Sequence, residues 1–186
     1  MNYTNPLQVV AISGSTRQQS TNHNLLQAIA QLANDQFSVL FFDGLESLPQ
    51  FNPDYALDNV PQQVEAFRQL LDKADGILLC TPEYAHGVPG SLKNAIDWTV
   101  STNQFYHKPT ALITASTDGS YAHKALLETL QVIEAASVAE LQLLISFAQT
   151  KVTKQYQVTD EPTLVQVQQL INRFTAVMQK SRKEKI

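Results

Sequence analysis

Hydrogen-bond donors are concentrated in a stretch that follows the first short β-branched run of the chain. Residues 13–22, SGSTRQQSTN, come directly after residues 8–12, QVVAI, and an amphipathic helix starts as they end. A helix N-terminus presents free N–H groups and a positive dipole end, and the guanidinium of Arg17 matches phosphate geometry. The stretch contains neither a Walker A loop nor a GxGxxG unit. It is therefore either an anion-binding loop or an ordinary strand–helix loop with a polar N-cap.

A second stretch of this kind follows the apolar run GILLC. Residues 81–98, TPEYAHGVPGSLKNAIDW, contain two prolines that fix φ, while Gly87 and Gly90 permit unusual φ values. A rigid backbone with exposed N–H groups suits a flat heterocycle that has many hydrogen-bonding edges. Tyr84 and His86 would supply flat surfaces beside it.

Strand-like and helical patterns alternate along the chain. Apolar runs predict strands at residues 8–12, 37–42, 76–80 and 110–115, and a fifth within 137–145. Helical periodicity predicts helices at 22–33, 61–74, 91–99, 121–136 and 163–179, with Ser91 as an N-cap. This alternation indicates an α/β fold with a doubly wound parallel sheet and helices on both faces, which places a ligand at the carboxyl ends of the strands. Counting strands leaves both common doubly wound orders open.

Composition excludes several functional classes. The chain has 186 residues, a formal net charge of −4 and one cysteine. The acidic balance disfavours nucleic-acid binding, and one cysteine allows no intramolecular disulfide, so we expect a cytoplasmic protein. No apolar run is long enough for a membrane span, and the N-terminus lacks the features of a secretory signal. The histidines show no metal-ligand pattern, so we expect no metal site.

The two polar stretches together resemble those of the NADPH-dependent FMN reductase family. The first stretch carries GSxRxxSxN, and the second carries PEYxxGxPGxLKNAIDW. This family includes flavin, quinone, azo-dye and chromate reductases on a flavodoxin-like fold. Many members have Asn after the Tyr, where this chain has Ala85. The resemblance covers nearly the whole chain and implies strand order 2-1-3-4-5 in a single FMN-binding domain of residues 1–186.

The resemblance also implies the residues that bind one noncovalent FMN. A first group would hold its phosphate: Ser15, Arg17, Ser20, Thr21 and Asn22. A second would line its ribityl chain and ring: Pro82, Glu83, Tyr84, Ala85, His86 and Gly87. The loop after the fourth strand would edge the other side of the ring: Ser116, Thr117, Asp118 and Gly119. Tyr84 and His86 would also contact the nucleotide or the second substrate, although a loop histidine is often merely solvated.

By the same resemblance, the protein is an NAD(P)H oxidoreductase with ping-pong kinetics. NADPH or NADH would give hydride to flavin N5, and a quinone, free flavin, azo compound or metal oxyanion would then take the electrons. No general acid or base is implied, because the chemistry occurs on the cofactor. Two alternatives are a flavodoxin-type electron carrier and an FMN-based redox-responsive binding protein. A non-flavin phosphate-binding domain is a third and less favoured alternative.

Several other residues have two readings. Cys80 is either a small core hydrophobe or a redox group. Lys93, Asn94 and Asp97 would support the flavin loop or bind a partner subunit. The segment of residues 43–60 is longer than a usual connection between secondary-structure elements. Family resemblance suggests that it packs at the subunit interface of a homodimer or homotetramer. Residues 180–186 would form a frayed basic tail.

Overall fold

The computed structural model describes residues 6–17 and 19–184. Five parallel strands form one sheet: β1 Leu7–Ser13, β2 Phe37–Phe42, β3 Gly76–Thr81, β4 Thr110–Ala115 and β5 Gln142–Ile145. Their spatial order is β2-β1-β3-β4-β5. The strand order implied by the family resemblance is therefore confirmed. Reversal of strand order beside β1 leaves a crevice at the carboxyl ends of β1 and β3, which is where this architecture binds ligands.

Helices cover both faces of the sheet, as predicted. They are α1 Thr21–Leu32, α2 Gln62–Lys73, α3 Gly90–Val100, α4 Ser120–Val132, α5 Ala148–Lys151 and α6 Glu161–Glu184. Helices α1 and α6 pack on one face, and α2, α3 and α4 pack on the other, so each face has its own apolar core. Every residue of β3 and β4 is buried, because a parallel strand with helices on both sides has no solvent face.

Several helix termini differ from the sequence prediction; α4, for example, ends at Val132, whereas the prediction extended to residue 136. Helix α3 begins at Gly90 with Pro89 at the N-cap and no side-chain cap, so the prediction of Ser91 as N-cap is wrong. Helix α6 continues to Glu184, so residues 180–184 are helical, whereas fraying was expected; residues 185–186 lie outside the described ranges. Arg182 holds this end, because its Nε and Nη2 donate to Asp75 Oδ1 and Oδ2 at 3.0 and 2.5 Å.

The long connection between β2 and α2 contains two short 3-10 turns, Leu45–Ser47 and Pro53–Tyr55. Helix α3 fixes the middle of this connection through two hydrogen bonds. Asn94 Oδ1 accepts from the N–H of Phe51 at 2.7 Å, and Trp98 Nε1 donates to the carbonyl of Pro49 at 2.8 Å. Asn94 and Trp98 therefore organise this connection.

Candidate functional site

A cavity of about 340 Å³ lies at the carboxyl ends of the strands. The loops after β1, β3, β4 and β5 all contribute to it. Its lining consists of Ser15, Arg17, Gln19, Ser20, Thr21, Asn22, Pro82, Glu83, Tyr84, Ala115, Ser116, Thr117, Phe147, Ala148, Gln149 and Thr150. The fold thus brings together residues from all three of the sequence regions expected to bind a cofactor.

The loop after β1 is seated directly on β3. Gly14 donates its N–H to the carbonyl of Cys80 at 2.8 Å. A Cβ at Gly14 would lie only 2.5 Å from Thr81 Oγ1, so a larger residue would push the loop off the strand. Close approach of backbone to backbone, rather than a special φ, explains this glycine.

The same loop delivers a helix N-terminus to the cavity. Ser20 is the N-cap of α1, and its hydroxyl accepts from the N–H of His23 at 3.4 Å. The N–H groups of the first helical turn have no intrahelical acceptor and face outward with the positive end of the dipole. The exposed guanidinium of Arg17 adds a full positive charge beside them. This end of the cavity suits an anion.

Asn22 lies beneath this loop, and its side chain binds protein atoms at both ends. Its Oδ1 accepts from the Cys80 thiol at 3.2 Å, and its Nδ2 donates to the carbonyl of Ala115 at 3.2 Å. Both Asn22 and Cys80 are buried. Burial raises the pKa of the Cys80 thiol above its ordinary value of 9.0, so this cysteine remains a neutral hydrogen-bond donor. Of the two readings of Cys80, the structure favours the structural one.

The loop after β3 makes a tight two-residue turn. Tyr84 and Gly87 exchange two backbone hydrogen bonds of 3.0 and 2.9 Å. Ala85 and His86 occupy the turn with φ values of 48° and 58°. Two consecutive positive φ values are the mark of a type I′ turn, which usually contains Asn or Gly. Gly87 and Gly90, which permit unusual φ values, do not have a positive φ; the positive φ values of this loop fall on Ala85 and His86 instead.

The tip of this turn stands outside the cavity. Pro82, Glu83 and Tyr84 line the cavity, whereas Ala85, His86 and Gly87 do not. The His86 ring instead stacks on Tyr121 of α4, with centroids 4.1 Å apart and planes 16° apart. Sequence reasoning missed Tyr121 because nothing in a helical pattern shows which exposed residue meets a distant loop.

Glu83 ties the β3 loop to its neighbours. Its Oε2 accepts from the N–H of Ala122 in the first turn of α4 at 2.8 Å. Its own N–H donates to Ser116 Oγ at 3.3 Å. A carboxylate at a helix N-terminus satisfies a free N–H and interacts favourably with the dipole. Glu83 therefore caps α4 from another loop and fixes the two loops relative to each other.

The loop after β4 divides in the same way. Ser116 and Thr117 line the cavity, and Asp118 and Gly119 lie beyond it. Gly119 is the N-cap of α4 and has a φ of 95°, a left-handed conformation that glycine adopts without strain. Asp118 Oδ1 accepts from the N–H of Ser120 at 3.3 Å.

The loop after β5 is the part of the cavity that sequence reasoning missed. It contributes Phe147, Ala148, Gln149 and Thr150, while Gln19 and Ala115 were missed elsewhere. The four-residue helix α5 is too short to show a periodic pattern, and the β5 prediction gave only a broad range. Placement of β5 beside β4 carries this loop to the cavity.

The donor set fits FMN. Hydroxyls, helix N–H groups and one guanidinium form an anion-binding end, while Pro82 and Tyr84 give another part of the lining apolar and aromatic character. A phosphate and a flat ring require this combination. Within residues 6–17 and 19–184, no cluster of three or more His, Cys, Asp or Glu could hold a metal ion, and no helix is long and apolar enough to cross a membrane.

Fold and cavity define a flavodoxin-like α/β protein of the mononucleotide-binding class. The chain belongs to the NADPH-dependent FMN reductase family, whose model matches residues 7–150. It is an FMN-dependent NAD(P)H oxidoreductase. The family and activity expected from the two motifs are therefore confirmed.

Several relatives support this placement. The chain is 32% identical over 168 residues to the NAD(P)H-dependent FMN reductase PA1204 of Pseudomonas aeruginosa, covering 88% of this chain and 90% of that one. It is 30% identical over 165 residues to a quinone reductase of Escherichia coli, covering 85% and 88%. A 92-residue match to a 2-hydroxy-1,4-benzoquinone reductase of a Burkholderia species is 44% identical but covers only 50% and 49%.

Among solved structures, the flavoenzyme FerB, an NAD(P)H:(acceptor) oxidoreductase of Paracoccus denitrificans, shares the fold. The TM-score is 0.75 at 24% identity, covering 94% of this chain and 98% of that one.

Proposed function

We propose that the cavity binds FMN and that the enzyme passes electrons from NAD(P)H to a quinone. The observation that supports this most strongly is the meeting, in one cavity, of the α1 N-terminus with the β3 and β4 loops. An anion end and a flat, partly aromatic end then lie within one continuous space.

The loop after β1 would hold the phosphate of FMN. Ser15, Ser20 and Thr21 would donate hydroxyls, Arg17 would donate a charge-assisted bond, and the first N–H groups of α1 would complete the cradle. Asn22 would contribute its backbone N–H, because both ends of its side chain already bind the protein.

The loops after β3 and β4 would hold the ring. Pro82, Glu83 and Tyr84 would lie along one side, and Ser116 and Thr117 along the other. Backbone N–H groups there would stabilise negative charge on the ring. Ala85, His86, Gly87, Asp118 and Gly119 would shape these loops from outside the cavity. Tyr84, which lines the cavity, and His86, which lies outside it, would meet the nucleotide.

When bound, FMN supplies the redox chemistry, taking hydride from NAD(P)H and giving electrons to an acceptor in alternate half-reactions. The relatives from Escherichia coli and Burkholderia are named for quinone reduction, which favours a quinone over free flavin, azo compounds or metal oxyanions. The protein would supply binding and orientation.

The enzyme would act in the cytoplasm as a homodimer or homotetramer. Tyr55 and Leu57, in the connection between β2 and α2, are exposed apolar side chains that suit a subunit contact.

Reconstitution tests the proposal. The apoprotein is titrated with FMN, using quenching of flavin fluorescence, and then assayed for NADPH and NADH oxidation with menadione, free riboflavin, an azo dye and chromate. Saturable FMN binding and rapid menadione turnover without a partner reductase would support the proposal. FMN binding without turnover of any soluble acceptor would indicate an electron carrier or sensor instead, and no FMN binding would reject the site itself.

A further inference from the structure

Phe147 occupies an unusual position at the cavity. It follows Ser146 in the loop after β5, its backbone has φ 54° and ψ 36°, and its side chain is 64% exposed while lining the cavity. This left-handed conformation is unfavourable for most residues with a Cβ, and glycine or asparagine normally takes it. Because its side chain is largely exposed, Phe147 also contributes little to the apolar core.

Hydrogen bonds fix the backbone of Phe147 in this conformation. Its N–H donates to the carbonyl of Thr117 at 3.1 Å, and its carbonyl accepts from the N–H and Oγ1 of Thr150 at 3.0 and 2.9 Å. The next N–H, of Ala148, donates to the carbonyl of Ser116 at 3.0 Å. The β5 loop is thereby bound to the β4 loop, and the aromatic ring is presented from a rigid base.

The aromatic ring of Phe147 is therefore the feature that this residue contributes to the cavity. Strained backbone that the surroundings hold in place is typical of ligand-contacting sites. A glycine would satisfy the backbone without strain and would remove the exposed apolar area. The sequence instead places a large aromatic side chain at the edge of the cavity.

A second exposed aromatic side chain lies across the β4 loop. Tyr84, 49% exposed, belongs to the loop after β3, and Phe147 belongs to the loop after β5. Because β4 separates β3 from β5 in the sheet, Ser116 and Thr117 lie between these two residues. The rim of the cavity thus carries aromatic side chains on both sides of a polar segment.

We propose that Phe147 is a specificity-determining residue that forms an apolar wall for planar aromatic acceptors. This inference rests on the proposed FMN site and on the quinone class proposed above. A quinone ring packs favourably against a phenyl ring, whereas a hydrophilic inorganic oxidant has no apolar face to use this wall. Phe147 would therefore discriminate among acceptors without holding the phosphate or the nucleotide.

The test compares Phe147→Ala and Phe147→Asn with Tyr156→Ala. Tyr156 is a matched control, since it is also a partly exposed aromatic residue with a positive φ of 61° and does not line the cavity. Asparagine tolerates the left-handed backbone, so Phe147→Asn guards against misfolding of the alanine variant. Three quantities are measured on each protein: the FMN dissociation constant, KM for menadione and for ferricyanide, and the calorimetric dissociation constant of 1-naphthol, a planar ligand that cannot accept hydride.

We expect both Phe147 variants to raise KM for menadione and the dissociation constant of 1-naphthol by about 3- to 10-fold. FMN affinity and KM for ferricyanide should match those of wild type and of Tyr156→Ala. The proposal is overturned if menadione and 1-naphthol respond no more than in Tyr156→Ala, or if FMN affinity falls in parallel with them. Failure of wild type to bind FMN would instead reject the proposed function.

Discussion

The Cys80 thiol donates a hydrogen bond to Asn22 Oδ1 over 3.2 Å, under the floor of the cavity. The amide of Asn22 continues to the carbonyl of Ala115, so one side chain connects α1, β3 and β4. All three elements end or begin at the cavity. Asn22 therefore sets the distance between the helix N-terminus and the two strand ends that face it.

Replacing Asn22 by alanine should destabilise the apoprotein. The substitution leaves the carbonyl of Ala115 and the thiol of Cys80 without their partner, which costs about 1–3 kcal/mol in the free energy of unfolding. Urea denaturation measures this, and Asn24→Ala, on the same helix but half-buried, should cost clearly less. A double-mutant cycle with Cys80→Ala should show coupling; strictly additive losses would mean that the thiol–amide bond contributes nothing.

Residue patterns were sufficient to predict a five-stranded parallel sheet and three of the four cavity loops, while the strand order came from the family resemblance. Strands β3 and β4 are fully buried, so their composition is continuously apolar and easy to recognise. Alternation with helices then dictates a parallel sheet, and a parallel sheet places the loops after β1, β3 and β4 at one edge. The position of the site therefore follows from local patterns and general topology.

Details that depend on tertiary contact were not predictable in this way. Ala85 and His86 adopt the left-handed turn because the Tyr84–Gly87 hydrogen bonds fix it, although neither residue type favours it. Phe147 enters the cavity only through the pairing of β5 with β4. The end of α6 is ordered by the contact of Arg182 with Asp75, which is distant in sequence.

Glu83→Ala should lower stability and weaken FMN binding together. The variant removes the carboxylate that accepts from Ala122 N–H, and loss of a helix cap costs about 0.5–2 kcal/mol. The β3 loop is then less well positioned beside Ser116. Urea denaturation and FMN titration measure the two effects. Glu83→Gln, which keeps an acceptor oxygen, should recover most of both, and Glu128→Ala, an exposed change on α4, should alter neither.

Arg17→Ala should weaken FMN binding without affecting the fold. Its guanidinium is exposed at the anion-binding end of the cavity, and a charge-assisted hydrogen bond to phosphate contributes about 1.5–3 kcal/mol. Fluorescence titration should therefore give a dissociation constant about 10- to 150-fold higher. Arg17→Lys should retain part of the affinity through charge alone. The control variant Arg173→Ala, on the surface of α6, should bind FMN with the wild-type dissociation constant. Equal FMN affinity in Arg17→Ala and wild type would remove Arg17 from the site.

His123 should make stability depend on pH on the acid side of neutrality. Its Nε2 lies 2.8 Å from Gln142 Oε1 and its Nδ1 lies 2.9 Å from Thr114 Oγ1. Because Gln142 Nε2 donates to the carbonyl of Ala139, Oε1 is oriented as the acceptor, so the neutral ring carries its proton on Nε2. Partial burial lowers the pKa of His123 below its ordinary value of 6.5, against an opposing effect of the Gln142 hydrogen bond.

A pKa that is lower in the folded state means that the unfolded chain binds this proton more tightly. The stability contributed by neutral His123 is therefore complete above pH 6.5 and is lost as the pH falls below 6.5 towards the lowered folded-state pKa. Urea denaturation between pH 7.5 and about pH 5 should show a decline for wild type that is shallower in His123→Gln. The variant His23→Gln keeps His123 and its partners, so it should retain the wild-type slope. A slope unchanged in His123→Gln would show that other groups control the acid sensitivity.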